Sequence, residues 1–268
     1  DELMTLPEVV HVIYSTPIEN ISDEQVLSQI QVLNEDYRRL NADKSRTPSQ
    51  FRNSAVDTGI EFCLASVGPS GRATNGINRV SFDGAPFSEQ FINEQIKPDI
   101  IWDPNKYLNF WVCNISGGIL GYAQFPQSGE VGGLPFSPGL AKTDGVVINY
   151  NVFGTLGTVS APFDGGRTTT HEVGHWLGLR HIWGDGACDK DDYCNDTPVA
   201  DGPNFNCPPG SVSCEGGKAM VSNYMDYSDD ACMNLFTRDQ RARMRAVLQN
   251  SPRRKSVIES NGCRSKVE

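Results

Sequence analysis

The chain of 268 residues contains four histidines, and three of them lie in one eleven-residue string, HEVGHWLGLRH, which spans residues 171–181. Histidine makes up about 2% of ordinary proteins, so a chance match to the pattern H-E-x-x-H-x-x-G-x-x-H has odds on the order of 1 in 100,000. Neutral imidazole nitrogens are good ligands for Zn²⁺. The string therefore predicts a metal site.

The spacing within the string favours a catalytic zinc on a helix. His171 and His175 are four residues apart, so a helix places both rings on one face, where they can reach one ion. Gly178 tolerates the left-handed conformation that ends a helix, so the chain can turn and supply His181 as a third ligand. Three ligands leave one position for water, and Glu172 is the candidate general base. The predicted chemistry is hydrolysis.

The sequence lacks the residues that other kinds of metal or catalytic site would need. A structural zinc commonly takes four protein ligands including thiolates, and residues 171–181 contain no cysteine. A cysteine protease needs a histidine beside its thiol, and only His11 lies outside the string. We interpret His11 as an ordinary surface or core residue. The G-x-S-x-G turn of many serine hydrolases is absent from the sequence.

Composition narrows the class of protein and its partners. Lys and Arg number 23 against 33 Asp and Glu, and the net charge of −10 opposes nucleic-acid binding. No apolar run approaches the roughly 18 residues of a membrane-spanning helix. Eight cysteines, five of them between Cys188 and Cys232, favour disulfides and an oxidising compartment over reduced thiols in a cytosolic enzyme. The N-terminus has no signal-peptide pattern, so we expect a mature secreted form.

Periodicity predicts the elements that position the histidine string. Strand and helix segments mix in the first two thirds of the chain, and about 55 residues with little periodicity follow the string. A stretch of that length needs disulfides or metal ions to hold it. The predicted strands are Glu8 to Tyr14, Ile60 to Ala65, Tyr107 to Asn114 and Val146 to Tyr150, with loops and one edge strand within 117–145. The predicted helices are Ser22 to Asn41, Thr168 to Leu179 and Thr237 to Asn250, with Pro252 as a stop.

The irregular stretch gathers oxygen ligands of the kind that Ca²⁺ prefers. It is not an EF-hand, because Tyr193 and Cys194 stand where that loop needs an oxygen donor and a glycine. A solvated acidic loop is the alternative interpretation. The candidate ligands are Asp185, Asp189, Asp191, Asp192, Asn195, Asp196 and the Thr197 carbonyl.

A second motif follows the histidine string and allows a family to be named. Asn223 to Tyr227 reads NYMDY, which resembles the Met-turn that follows this zinc motif in metzincins. Together with TTTHEVGHWLGL at 168–179 and LGYAQFP at 120–126, it resembles the pappalysin family of metzincin proteases, including its single-domain microbial members. The resemblance covers roughly Tyr107 to Phe236.

The resemblance implies an α+β metzincin fold in one catalytic domain, residues 1–268. An upper lobe at 1–178 would hold a mixed five-stranded sheet with a backing helix and the active-site helix. A lower lobe at 179–268 would be irregular, stabilised by disulfides and calcium, with a C-terminal helix. Met225 would form an apolar floor beneath the zinc, and Tyr227 would bind the metal or the oxyanion. The implied activity is that of a secreted zinc endopeptidase, which we expect to be a monomer without nucleic-acid or membrane partners.

Substrate contacts are predicted from the same motifs. Leu120, Gly121 and Tyr122 would align an extended peptide by strand addition. The resemblance places Asp230 in the S1′ pocket, where it would select Arg or Lys at P1′. In one alternative Asp230 is a calcium ligand, and in another it is a solvated acid of the loop. In a third, the neighbouring Asp229 lines the pocket instead.

The resemblance also implies disulfides, with the pairing only partly settled. Cys207 would pair with Cys232, and Cys214 with either Cys188 or Cys194. Cys63 and Cys113 would be buried thiols or would pair elsewhere, for example with Cys263.

Two rival functions belong to other classes. A secreted metal-stabilised binding module would be expected to lack Glu172 or Tyr227, and the chain has both. A zinc hydrolase of a non-peptide amide or ester would share the motif, and the relative activity on casein and on small esters separates it from a protease.

Overall fold

A mixed β-sheet with helices on both faces forms the centre of the computed structural model, which describes residues 2–128, 130–137 and 139–263. The strands are β1 (Met4–Tyr14), β2 (Ile60–Leu64), β3 (Ile77–Ser81), β4 (Leu108–Cys113), β5 (Gly121–Ala123) and β6 (Val146–Asn149). The α-helices are α1 (Asp23–Tyr37), α2 (Glu89–Phe91), α3 (Lys97–Ile100), α4 (Arg167–Trp176), α5 (Arg238–Asn250) and α6 (Pro252–Ile258), and a π-helical turn, Ile92–Ile96, joins α2 to α3. None of the described helices has the length and apolar character needed to cross a bilayer.

The sheet has six strands in five positions. Strand β1 is long enough to pair through Met4 to Glu8 with β2 and through Val10 to Tyr14 with β3, while β4 takes its other edge. The order continues through β6 to β5, which alone is antiparallel. The predicted mixed sheet is confirmed, and β3 is an additional strand that shares one edge of β1 with β2. Strand β5 is the predicted edge strand, and no described strand pairs with its outer edge.

Helices α1 and α4 pack on one face of the sheet in the main core. Leu6, Val10 and Val12 of β1 point into this core, and their alternation with Val9 and Ile13 sends the latter to smaller clusters on the opposite face. Helix α1 begins at Asp23 because Ser22 Oγ accepts the backbone N–H of Gln25 at 3.2 Å. The histidine string therefore begins on α4, and the core fixes the inner face of this helix.

A buried polar network ties α1 to α4 and to the segment after it. The fully buried Asp36 on α1 accepts hydrogen bonds from Thr170 Oγ1 at 2.7 Å and from Tyr224 Oη at 2.8 Å. Arg167, the first residue of α4, lies 3.1 Å from the same carboxylate and also pairs with Asp43. A buried acid with this many partners fixes the rotation of α4 relative to the segment that carries Met225.

The predicted last helix is confirmed, and a further helix follows it. Thr237 caps α5 in a reciprocal arrangement with Gln240. Pro252 ends α5 as expected, but it is also the first residue of α6, a position where proline is favoured. On α6, Arg254 is buried against Trp176 and pairs with Asp144 at 2.8 Å, which anchors the C-terminal helices to the end of α4.

Candidate active site

The three histidines of the string point their outer ring nitrogens toward one another. His171 and His175 project from α4, and their Nδ1 atoms lie 2.7 Å from Tyr224 O and 2.8 Å from Leu179 O. His181 Nδ1 lies 2.5 Å from the carboxylate of Asp185. Since each Nδ1–H has an acceptor, each Nε2 keeps its lone pair for a metal, as expected when an acceptor fixes the tautomer of a ligating histidine.

The arrangement fits a zinc ion. The candidate ligand atoms of His171, His175 and His181 all lie within 4.8 Å of one another, and the Nε2 atoms of His175 and His181 are 3.0 Å apart. Burial, with the neighbouring imidazoles, lowers the pKa of His175 to about 3 and that of His171 well below its usual value. Both rings are therefore neutral, as metal ligands must be. No carboxylate or thiolate of the described residues completes a fourth ligand in this cluster.

Gly178 and Gly174 shape the backbone around the cluster. Gly178 has a φ of 88°, and its N–H bonds to His175 O at 2.9 Å, so the helix ends here as predicted and the chain turns toward His181. A Cβ on Gly174 would lie 2.4 Å from the sulfur of Met225, a fully buried residue. Met225 therefore packs against the helix between the two histidines, which places it beneath the cluster.

Glu172 faces a cavity beside the histidines and has the environment of a proton carrier. It lines a cavity of about 320 Å³ together with His171, Tyr227 and Asp230. Burial raises the pKa of its carboxyl to about 8, and a metal dication on the histidines would lower that value again. A carboxyl that titrates near neutral pH suits a group that accepts and returns a proton.

Tyr227 stands over the cluster from the opposite wall. Its ring centroid lies 4.8 Å from that of His181 and 5.7 Å from that of His171. Burial raises the pKa of the phenol, so it remains a hydrogen-bond donor, and 42% of the residue is exposed to the cavity and solvent. Trp183 stacks on the His181 ring at 4.3 Å and contacts Tyr227 edge-on, which fixes both side chains.

Asp230 lies in the wall of the same cavity with one oxygen unused. Its Oδ2 accepts the backbone N–H groups of Gly165 at 2.8 Å and Arg167 at 3.2 Å, at the start of α4. Its Oδ1 accepts no hydrogen bond from the described residues. Asp226 also lines the cavity, but Asn204 and the N–H of Tyr227 occupy its oxygens. Asp229 is not among the lining residues.

The free edge of β5 runs along the top of this cavity. Gln124 N–H bonds to Gly145 O at 3.1 Å and Asn149 N–H to Leu120 O at 2.8 Å, so even-numbered residues of this segment face β6. By alternation, Gly121 and Ala123 direct their N–H and C=O groups to the open edge, where an extended peptide can pair. A Cβ on Gly121 would lie 3.1 Å from Cγ of Glu172, so the edge passes directly over the general base candidate.

The acidic loop encloses a separate cavity of about 410 Å³. Asp192 is buried there, and desolvation raises its pKa to about 7 although Thr197 and Cys194 donate to it. Asp196 Oδ1 is buried without a hydrogen-bond partner among the described residues. Asp185 and Asp189 do not line this cavity, because Asp185 pairs with His181 and Arg180 and Asp189 pairs with Lys190. The acidic lining is Asp191, Asp192, Asp196 and Glu215, with Asn195 and Thr197 beside them.

Three disulfides settle the cysteine pairing that the sequence left open. Cys207 pairs with Cys232, and Cys214 pairs with Cys188. Cys194 is a buried free thiol, so the alternative pairing of Cys194 with Cys214 is wrong. Cys188 lies on the side of the loop that faces Cys214. Cys63 pairs with Cys263, and Cys113 is a buried thiol on β4. His11 is fully buried, with its ring nitrogens 2.9 Å from the side chains of Asn78 and Asn109.

The sequence motifs did not identify every residue that contacts the site. Asp185 is a calcium candidate in the sequence, yet its carboxylate accepts from Nδ1 of the third histidine. Its spacing of four residues from His181 is the only sequence signal for this contact. Trp183 and Phe205 also border the cluster and the cavity, and neither belongs to a recognisable motif.

Comparisons with known proteins agree with this geometry. The M43 peptidase family, described as pregnancy-associated plasma protein-A, matches residues 90–249. Extracellular metalloprotease 1 of Coccidioides posadasii is 35% identical over 243 residues, which cover 88% of this chain and 74% of that protein. An extracellular metalloprotease of Pyricularia oryzae is 32% identical over 252 residues, covering 91% and 75% of the two chains.

Solved structures give the same result. Mature mirolysin of Tannerella forsythia in complex with a cleaved peptide is 45% identical, with a TM-score of 0.88 and 96% of each chain covered. A promirolysin mutant from the same organism also gives a TM-score of 0.88, and the match covers 97% of this chain and 85% of that one.

Proposed function

The chain belongs to the pappalysin family of metzincin metalloproteases and is a zinc-dependent endopeptidase, and we propose that it uses Glu172 as general base and prefers Arg or Lys at P1′. The observation that supports this assignment best is the convergence of three histidines beside Glu172 under the open edge of β5. Protein and peptide chains are its substrates, because an open edge recognises extended backbone.

Each residue has a separate task in the proposed hydrolysis. His171, His175 and His181 would hold a zinc ion, which would supply the Lewis-acid chemistry that acidifies water and polarises a carbonyl. Glu172 accepts the proton of the attacking water and returns it to the leaving amine. The phenol of Tyr227 donates a hydrogen bond to the oxygen of the tetrahedral intermediate. Gly121 and Ala123 hold the peptide by backbone pairing, with Leu120 and Tyr122 flanking them.

A peptide library tests this function directly. We expect cleavage products within protein-like sequences, loss of cleavage with a zinc chelator and recovery when zinc is restored. Casein and small esters are compared in the same assay. Hydrolysis of the esters without cleavage of casein would favour the non-peptide hydrolase, and zinc binding without any hydrolysis would favour the binding module.

Replacing Tyr227 by Phe tests the oxyanion role. We expect kcat to fall by about 10-fold to 100-fold with little change in KM, because the phenol acts mainly on the transition state. Steady-state kinetics on a peptide with Arg at P1′ provides the measurement. A rise in KM with unchanged kcat would instead make Tyr227 a substrate-binding residue.

We further propose that the cavity in the acidic loop binds a structural Ca²⁺. The supporting features are the unpartnered Oδ1 of Asp196, the buried Asp192 and the oxygens of Asn195 and Thr197. Carboxylate and carbonyl oxygens are the donors that calcium takes. Asp185 and Asp189 are left out of this site because their carboxylates are engaged elsewhere.

Removal of calcium is expected to lower the melting temperature. The loop around Asp192 has little apolar core of its own, so an ion that binds only the folded state stabilises it by mass action, by about 3–4 kcal/mol at 100–1,000 times Kd. Melting is followed in calcium and in a chelator too weak to extract zinc, with Asp196→Asn as the site variant and Asp189→Asn as the exposed control. Equal melting temperatures in the two buffers would remove calcium from this site.

The protein acts outside the cell. The fungal relatives carry the name extracellular metalloprotease, and three disulfides are consistent with an oxidising compartment.

A further inference from the structure

Another cavity lies beside β5, at the opposite end of the strand from the cavity that Asp230 lines. Its volume is about 290 Å³. Strand β5 and the residues that follow it form one wall, and the helical segment from α2 to α3 forms the other. This cavity, called here the Lys97 cavity, is lined among others by Glu89, Asn93, Lys97, Tyr122, Phe125 and Phe136.

Lys97 lies at its floor, and no described acid forms an ion pair with it. Only 2% of the residue is exposed, and its Nζ lies 4.7 Å from the ring centroid of Tyr122 and 4.9 Å from that of Trp111. Within the described part of the chain its Nζ donates one long hydrogen bond, 3.4 Å to Thr143 O. Desolvation lowers the pKa of the ammonium to about 7. Tyr122 and Thr143 both line the cavity, so the ammonium is placed where a ligand in the cavity would meet it.

Neither of the nearby described acids, Asp144 and Glu89, forms an ion pair with Lys97. The carboxylate of Asp144 is engaged by Arg253 and by Arg254, the latter at 2.8 Å. Glu89 is exposed at the rim and forms no ion pair with Lys97 within 4.0 Å in the described chain. A desolvated cation facing a cavity whose lining includes the rings of Tyr122 and Phe125 favours an anionic ligand with an apolar stem.

The position of the cavity relates it to bound substrate. A Cβ on Gly121 would lie 3.1 Å from Cγ of Glu172, and Phe125 packs on His175 with ring centroids 5.1 Å apart, so the strand edge passes over the histidine cluster. The Asp230 cavity is lined by Gly118 to Gly121 and the Lys97 cavity by Tyr122 to Phe125. A peptide paired with β5 that places its P1′ side chain near Asp230 therefore carries its preceding residues toward Lys97.

We propose that the Lys97 cavity is an unprimed subsite for an acidic substrate side chain, whose carboxylate binds the Lys97 ammonium. The proposal rests on the endopeptidase function above and extends it from one side of the scissile bond to the other. The π-helical turn before Lys97 supports it, because such turns are frequent at functional sites. The hydrogen bond of 3.1 Å from Tyr122 Oη to Asn93 holds the two walls together.

The test uses peptides with Arg fixed at P1′ and either Glu or Gln at each of the positions P2 to P5. We expect one unprimed position at which Glu raises kcat/KM over Gln by about 5-fold to 20-fold, the range of a charge-assisted hydrogen bond that is partly desolvated. Equal rates for Glu and Gln at all of these positions in the wild-type enzyme overturn the proposal.

Two matched variants assign the preference to Lys97. Lys97→Met is expected to abolish the Glu preference while keeping the preference for Arg at P1′. Lys142→Met removes the same charge from an exposed position next to Thr143 and is expected to keep both. A Glu preference that survives in folded Lys97→Met overturns the proposal.

A third variant keeps the proposal testable if Lys97→Met does not fold. Glu89→Gln removes the repelling charge at the rim but also a group that raises the pKa of Lys97, so the assay is run at pH 6, below that pKa. The Glu preference is then expected to increase by about twofold, and a decrease contradicts the proposal. Cleavage before Arg without any unprimed acid preference refutes the subsite alone, whereas absence of all peptide cleavage refutes the proposed function with it.

Discussion

Replacing Glu172 by Ala is expected to abolish proteolysis while leaving zinc bound. The three histidines and the acceptors of their Nδ1 atoms are untouched, so the metal site persists. The carboxylate that moves the proton is lost, and general acid–base catalysis contributes about 100-fold to 10,000-fold. The measurements are kcat/KM on a peptide with Arg at P1′ and zinc content per chain.

Two further variants separate proton transfer from metal binding. Glu172→Gln keeps the size of the side chain and is expected to be as inactive as the Ala variant, because an amide cannot accept the proton. His175→Ala is expected to lose both zinc and activity. Activity of Glu172→Ala within about tenfold of wild type would contradict the general base role, since the whole contribution of the base is larger than that.

The histidine string is the part of the site that the sequence predicted most completely. The i, i+4 spacing on a helix and the left-handed glycine are local properties, so they were readable from residues 171–181 alone. The convergence of Met225 and Tyr227 on the same cluster depends on tertiary packing, and only the resemblance to a family supplied it.

The elements that the sequence missed have weaker local patterns. Strand β3 is partly exposed along its length, so its alternation does not stand out. The helical segment from Glu89 to Ile100 contains a π-turn and Pro98, which disrupt the regular 3.6-residue periodicity. The Lys97 cavity lies between this segment and β5, and for that reason it was invisible in the sequence.

The acidic composition of residues 185–197 suggested that Asp185 belongs with the other acids of the loop. Asp185 stands within the acid-rich stretch, but the turn after Gly184 carries it back to His181 instead of toward Asp192. Cys188 and Cys194 are equally plausible partners for Cys214 in sequence, and only the path of the loop decides between them. Neither choice is encoded in local spacing.

Replacing Asp230 by Asn is expected to remove the preference for a basic P1′ residue. In the folded protein Oδ2 caps the start of α4 and Oδ1 accepts no hydrogen bond from the described residues, so Asn keeps an oxygen for the cap and loses the charge. Arg167, the nearest cation in the cavity wall, is already neutralised by Asp36 and Asp43. The wild-type ratio of kcat/KM for Arg over citrulline should be about 10-fold to 150-fold, and the variant ratio near unity.

Asp229→Asn is the matched control for this variant. It removes the same charge from the adjacent residue, which does not line the cavity, so it should retain the wild-type ratio. An unchanged ratio in Asp230→Asn, or a loss of the ratio in Asp229→Asn, would remove Asp230 from the pocket. Citrulline is used because it matches the shape of arginine without its charge.

The pH dependence of the same ratio tests the charge on Asp230 without a mutation. Desolvation raises the pKa of Asp230 to about 6, although the N–H groups of Arg167 and Gly165 oppose the shift. The selective form is the carboxylate, so the Arg preference should be complete well above pH 6 and decline as the pH falls through that value. Because both peptides share one catalytic apparatus, acid effects on the histidines and Glu172 cancel in the ratio. Because kcat/KM reports the ionisation of the free enzyme, the decline should be centred near the pKa of unliganded Asp230. A ratio that stays constant down to pH 4.5 would mean that Asp230 does not contact the P1′ side chain.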